Sequence, residues 1–167
     1  LAARGLKTLG LRVRAHSANA LAVAQWLADR EGVAEVFYPG LASHPDHRLA
    51  ARQMHGGFGG VVSLRLAGGE AAARRFVRST RLFGLSVSLG GVESLICLPT
   101  EMTHGPLRGT QREIDGDIVR LSVGIEEVGD LIADLDQALD TATRLTKQVK
   151  DLAGSREGRA PSVAVAS

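Results

Sequence analysis

One cysteine, Cys97, stands in 167 residues, and that scarcity removes whole classes of chemistry. A single thiol closes no internal disulfide and builds no thiolate metal cluster. It suits a reducing, cytoplasmic setting. Aromatics are nearly as sparse, with one Trp, one Tyr and four Phe. No basic run is interleaved with them, so nucleic-acid binding has no support beyond a pI of about 9.1. Charge of one sign is also missing: the formal net charge is only +2. No apolar run approaches a bilayer span, so no membrane partner is expected. What remains is 44% hydrophobic and 23% charged, the make-up of an ordinary globule of one domain. The chain opens at Leu1 inside an apparent helix, LAARGLKTLGLRV, and we therefore expect a piece of something longer.

Periodicity orders the rest. Residues 2–30 read as helix, with a possible joint near His16 and Ser17, and with Leu21, Ala24, Gln25 and Ala28 at helical spacing. Strands are expected at 33–38, 58–66, 82–87, 93–97 and 117–123, and shorter helices at 47–54 and 70–78. A helix over 128–150 places Leu131, Leu135, Ala138, Leu139, Ala142 and Leu145 on one face. From Gly154 the chain turns polar and gains a proline, which predicts a flexible tail over 154–167. The order predicts an α+β fold: a small antiparallel-rich sheet with helices packed on one face and the other face open. In DIVRLSVGIE, residues 117–126, alternation turns Val119, Leu121 and Val123 inward and Arg120 outward. A five-donor planar cation in mid-strand is either solvated or waiting for a carboxylate.

Other constellations favour plain readings. His44, Asp46, His47 and His55 lack the same-face spacing of helical zinc motifs and read as a solvated loop. Cys97, between Ile96 and Leu98, reads as a buried thiol more than as a nucleophile partnered by His104. Ser86, Ser88 and Ser94 lie in no G-x-S-x-G elbow. Glu126-Glu127 read as acidic residues at a helix start. The SLGG turn, Ser88 to Gly91, lets backbone turn or approach a ligand closely, yet it forms neither G-x-G-x-x-G nor a Walker loop.

Six blocks in order resemble one family: RGLKTLGLRV (4–13), NALAVAQWL (19–27), YPGLASHPDH (38–47), SLGGVESLI (88–96), MTH (102–104) and DIVRLSVGIEEVGDLIADLDQAL (117–139). The chain resembles the Cys/Met-metabolism enzymes that use pyridoxal 5'-phosphate (PLP), among them cystathionine γ-synthase, the cystathionine lyases and methionine γ-lyase. The segment 107–114 and the residues after Gly154 match that pattern poorly.

The likeness is to the C-terminal, smaller domain of these fold-type I transferases. It implies that residues 1–153 form that domain, led in by a helix from a PLP-binding domain. The Schiff-base lysine and the cofactor cradle would lie in that missing domain or in a partner chain. Lys7, Lys147 and Lys150 fall outside every matching block, so no catalytic or cofactor-binding residue is nominated in this chain.

What the resemblance does imply is substrate binding. Arg120 would hold the amino acid's α-carboxylate by two parallel charge-assisted hydrogen bonds. Ser88 would stand beside the reacting centre and Thr103 near the same pocket in support. Val87 stands where many cystathionine-handling members carry Glu, which implies a smaller or more apolar thioether. The implied activity is C–S lysis or γ-replacement on sulfur-containing amino acids, with this chain inactive alone and the complete enzyme a homotetramer. The alternative is a non-catalytic binding or assembly domain derived from the same family.

Overall fold

The computed structural model describes residues 2–107 and 109–157, with side chains described through residue 146. Helix α1 (Ala2–Leu6) leads into α2 (Leu9–Ala28), followed by strand β1 (Val33–Phe37) and helix α3 (His47–Gln53). Strand β2 (Val61–Leu66) and helix α4 (Gly69–Ser79) come next, then β3 (Gly84–Leu85), β4 (Leu95–Cys97) and the short helix α5 (Pro99–Met102). A 3-10 turn at Gly105–Leu107 precedes β5 (Ile118–Ser122) and the long α6 (Val128–Glu157). The expected α+β architecture is present as one five-stranded mixed sheet, ordered β1-β2-β5-β4-β3. Three of its pairings are antiparallel, and only β3 and β4 run parallel.

β5 is central, and its pairing carries the side-chain alternation across the sheet. Val119 and Leu121 pair with Leu64 and Val62, and Leu121 also meets Ile96; all five are fully buried. Against this face lie Ala20, Val23, Ala24 and Leu27 of α2 and Ala73, Phe76 and Val77 of α4. Leu131, Leu135, Ala138 and Ala142 of α6 complete the core, spaced at one helical stripe. Each large side chain buried here contributes about 1.5–3 kcal/mol, so this interface holds the domain together.

Several expectations are corrected. The break in the first helix falls at Lys7 and Thr8, and α2 runs unbroken through His16 and Ser17, which are buried. Its buried stripe is Ala20, Val23, Ala24 and Leu27, while Gln25 and Ala28 are exposed. The helix is apolar on several sides, so its periodicity does not single out one face. The strand expected at 82–87 shrinks to two residues, because Phe83 turns into the core and only Gly84 and Leu85 pair with β4. The strands expected at 58–66 and 93–97 begin later, after glycine-rich and bent stretches. α6 continues through residues 154–157, which were expected as tail; residues 158–167 of that tail lie outside the described residues. Leu145, expected on the buried stripe, is 41% exposed. Among the described residues no helix is long and apolar enough to cross a membrane.

Candidate functional site

The sheet face opposite the main core is mixed: Ser63, Arg65, Arg120 and Ser122 share it with Val61, Leu95, Cys97 and Ile118. Antiparallel partners share a face, so Arg120 stands in a row between Ser63 of β2 and Cys97 of β4. Arg65 lies two residues beyond Ser63 on the same face. These two guanidiniums have opposite fates. Arg65 donates to Asp117 at 2.7 Å and to Asp115 at 2.9 Å, with Glu35 at 3.8 Å. Its hydrogen bonds to the two aspartates push its pKa further up. Arg120 has no carboxylate within ion-pair distance among the described residues. Its Nε–H is buried without a hydrogen-bond partner.

A buried, unsatisfied N–H costs about 1–3 kcal/mol, more for a charged group. Arg75 Nε is likewise buried without a partner, although its guanidinium donates to Thr146; elsewhere Asp134 accepts from the backbone N–H groups of Arg81, Leu82 and Phe83 at 2.8–3.0 Å. An incoming carboxylate is the group that would satisfy Arg120, since guanidinium presents parallel donors matched to two oxygens. The neighbouring Cys97 thiol is 1% exposed. Burial raises its pKa, and the charge of Arg120, together with a side-chain hydrogen bond between the two residues, offsets only part of that rise. It is the buried thiol that was expected. His104 is hydrogen-bonded to Thr103, Nδ1 to Oγ1 at 2.7 Å.

The other nominated residues occupy different ground. Val87 and Ser88 lie on the exposed loop between β3 and β4, Val87 46% exposed. Thr103 ends α5, where its hydroxyl donates to the Pro99 carbonyl at 3.1 Å. Lys7 is exposed in the turn between α1 and α2, and the side chains of Lys147 and Lys150 lie outside the described residues. Among the described residues no group of three or more His, Cys, Asp or Glu side chains is placed to hold a metal ion. His44 and His47 are instead engaged locally, His44 Nδ1 accepting from Asp46 N–H and His47 Nδ1 meeting the Pro39 carbonyl.

One side chain has a role that local pattern did not suggest. Glu126 was expected to serve a helix start. Its carboxylate instead accepts from the Ser94 N–H at 2.6 Å and from Ser94 Oγ at 2.8 Å. The two residues are 32 apart in sequence, so no local signal announced the pair.

Comparison with known proteins places this geometry in context. The family described as Cys/Met metabolism PLP-dependent enzyme matches residues 1–140. Cystathionine gamma-synthase of Mycobacterium tuberculosis is 58% identical over 139 residues, covering 83% of this chain and 36% of the relative. Cystathionine gamma-lyase of Dictyostelium discoideum is 48% identical over 143 residues, covering 84% of this chain and 37% of that protein. The crystal structure of metB from Corynebacterium glutamicum superposes with a TM-score of 0.80 at 52% identity, over 83% of this chain and 36% of that one. The chain therefore spans little more than a third of the length of these relatives.

Proposed function

Because the chain belongs to the Cys/Met metabolism PLP-dependent enzyme family, we propose that it is the substrate-positioning C-terminal domain of a carbon–sulfur lyase or γ-replacement enzyme. Its substrates would be sulfur-containing amino acids. A lysine-bearing, PLP-binding domain, in a longer chain or a partner subunit, would complete the site. One observation carries the reading: a guanidinium in the central strand, its Nε–H buried and unpartnered, beside a second guanidinium that three carboxylates neutralise.

Each residue then has a physical task. Arg120 takes the substrate α-carboxylate as a bidentate pair and fixes the direction of the Cα bonds. When bound, PLP supplies an electron sink for the bond broken at Cα. Holding the carboxylate decides which bond that is, so the clamp works by orientation as much as by affinity. Ser88, on its exposed loop, would face the reacting end of the substrate, and Thr103 would support the pocket wall. Val87 offers no charge to a distal ammonium, which favours a shorter or more apolar thioether over cystathionine.

The test is kinetic and belongs in the complete enzyme. Arg120→Ala should lower kcat/KM for an amino-acid thioether by about a hundredfold or more, since charge-assisted hydrogen bonds are lost. Arg120→Lys should recover only part, because a point charge cannot reproduce the fork. An unchanged kcat/KM in Arg120→Ala would remove the carboxylate assignment. A folded, assembled protein without C–S activity on any such substrate would favour the binding or assembly role instead.

A further inference from the structure

The loop that carries Val87 and Ser88 is held in an unusual way. At its outgoing end the Ser86 N–H donates to the Ile96 carbonyl at 3.1 Å, continuing the β3–β4 ladder. Its return limb is gripped from two other elements. His16, buried in α2, lies with Nε2 2.8 Å from the Gly91 carbonyl, which can only accept, so Nε2 carries the hydrogen. The Ile125 N–H donates to the Val92 carbonyl at 3.0 Å, and the Gly124 N–H donates to Ser94 Oγ at 2.8 Å. Glu126 closes the arrangement by accepting from both Ser94 N–H and Ser94 Oγ. From the other side, Asn19 of α2 donates to the carbonyls of Gly124 and Glu126.

Residues 124–126 follow the strand that bears Arg120, just past Val123, and 125–126 form a bend. The same piece of backbone thus positions the carboxylate receptor and supports the loop beside it. Ser94 is 1% exposed, so its hydroxyl has no water to turn to if the carboxylate is removed. Gly124 is required by the closeness of the two segments: a Cβ there would strike the Val92 carbonyl and the Glu126 carboxylate.

We propose that Glu126, acting through Ser94, is a positioning residue that sets where Val87 and Ser88 stand relative to Arg120, and so which substrate length the site accepts. This rests on the reading of Arg120 as the carboxylate clamp. Glu126 does not touch the substrate; it fixes the return limb of the loop, and the exposed tip over 87–90 follows. A loosened limb leaves the α-carboxylate held but frees the residues that meet the rest of the substrate. The effect therefore falls on KM and on substrate preference more than on the amount of active enzyme.

The complete PLP-loaded enzyme with Glu126→Leu, Glu126→Gln and Gly124→Ala tests this by two readouts. Amide hydrogen exchange should speed up about tenfold over residues 87–95 in Glu126→Leu, with the amides of α6 unchanged. Glu126→Gln, which keeps one acceptor oxygen, should fall between it and the parent. Gly124→Ala, which alters no polar atom, should loosen the same loop by displacing it. In the kinetic arm, Glu126→Leu should raise KM about tenfold and change the ratio of kcat/KM between a short and a long thioether. Loop exchange at the parent rate in Glu126→Leu would overturn the latch. A lower kcat with KM and substrate ratio held would reduce Glu126 to a stabilising residue and overturn the positioning role. A parent enzyme inert toward every thioether would sink the clamp reading, and with it the substrate role of the latch, while exchange would still judge the contact itself.

Discussion

Tyr38 is the only tyrosine of the chain, and it shows how a single buried group couples the fold to pH. Its ring is fully buried against Phe58, and its hydroxyl donates to the Gly59 carbonyl at 2.9 Å. Burial pushes its pKa up to about 12. The unfolded chain loses this proton near pH 10 while the folded chain still holds it. Stability from this group is complete below about pH 10 and falls by about 1.4 kcal/mol per pH unit as pH rises toward 12. Urea unfolding across that range should show the slope, and Tyr38→Phe should flatten it at a cost of about 1 kcal/mol near neutrality. Phenolate absorbance can follow the titration directly, because no other tyrosine contributes. At this scale the outward turn of Arg120 was readable from alternation alone. The absence of a carboxylate beside it was not, because it depends on Asp115, Asp117 and Glu35 all being committed to Arg65.

Between elements, the strongest polar tie is the one Asp134 makes from α6 to the turn that follows α4. Its carboxylate accepts three consecutive backbone N–H groups, and Gln137 Nε2 adds a fourth contact at 3.0 Å. The side chain is 7% exposed, so water replaces it poorly. Asp134→Ala should cost about 2–4 kcal/mol, read from the urea midpoint, since it strands several buried donors at once. Asp134→Asn should cost less, because one carbonyl oxygen remains to accept. This tie spans about fifty residues and has no sequence signature. The stripe on α6 that brings Asp134 into place does have one, and it predicted the buried positions from Leu131 to Ala142. On α2 the same method was rotated by about one residue, since alanines on neighbouring sides make a poor contrast. Strand β3 was overextended for a related reason: apolar residues at 82–87 promised a strand, but pairing stops after Leu85. Local pattern reports which residues avoid water, and tertiary contacts decide which of them pair.

For the molecule as a whole, the sheet face expected to be open is covered around Arg120, where Cys97 and Ser122 are buried, while Leu6, Leu9, Leu11 and Val13 at the start are exposed. PLP added to this chain alone should develop no yellow, lysine-bound species, whereas the complete enzyme should. Absorbance titration checks this, and a yellow complex on the chain alone would mean that one of its own lysines serves the cofactor. The general architecture was legible because helices and strands alternate with clear punctuation. The strand order was less so, because β5 comes after both of the strands it separates. That order has a consequence for how the protein is made. On the ribosome, β1 and β2 can pair early, and β3 and β4 later, but the two halves have no hydrogen-bonded edge in common. They stay apart until residues 118–122 emerge and slide between them, closing five strands in one step. The strand that carries Arg120 is thus also the one that joins the two ribbons, and a nascent chain stalled before it holds them without a shared sheet.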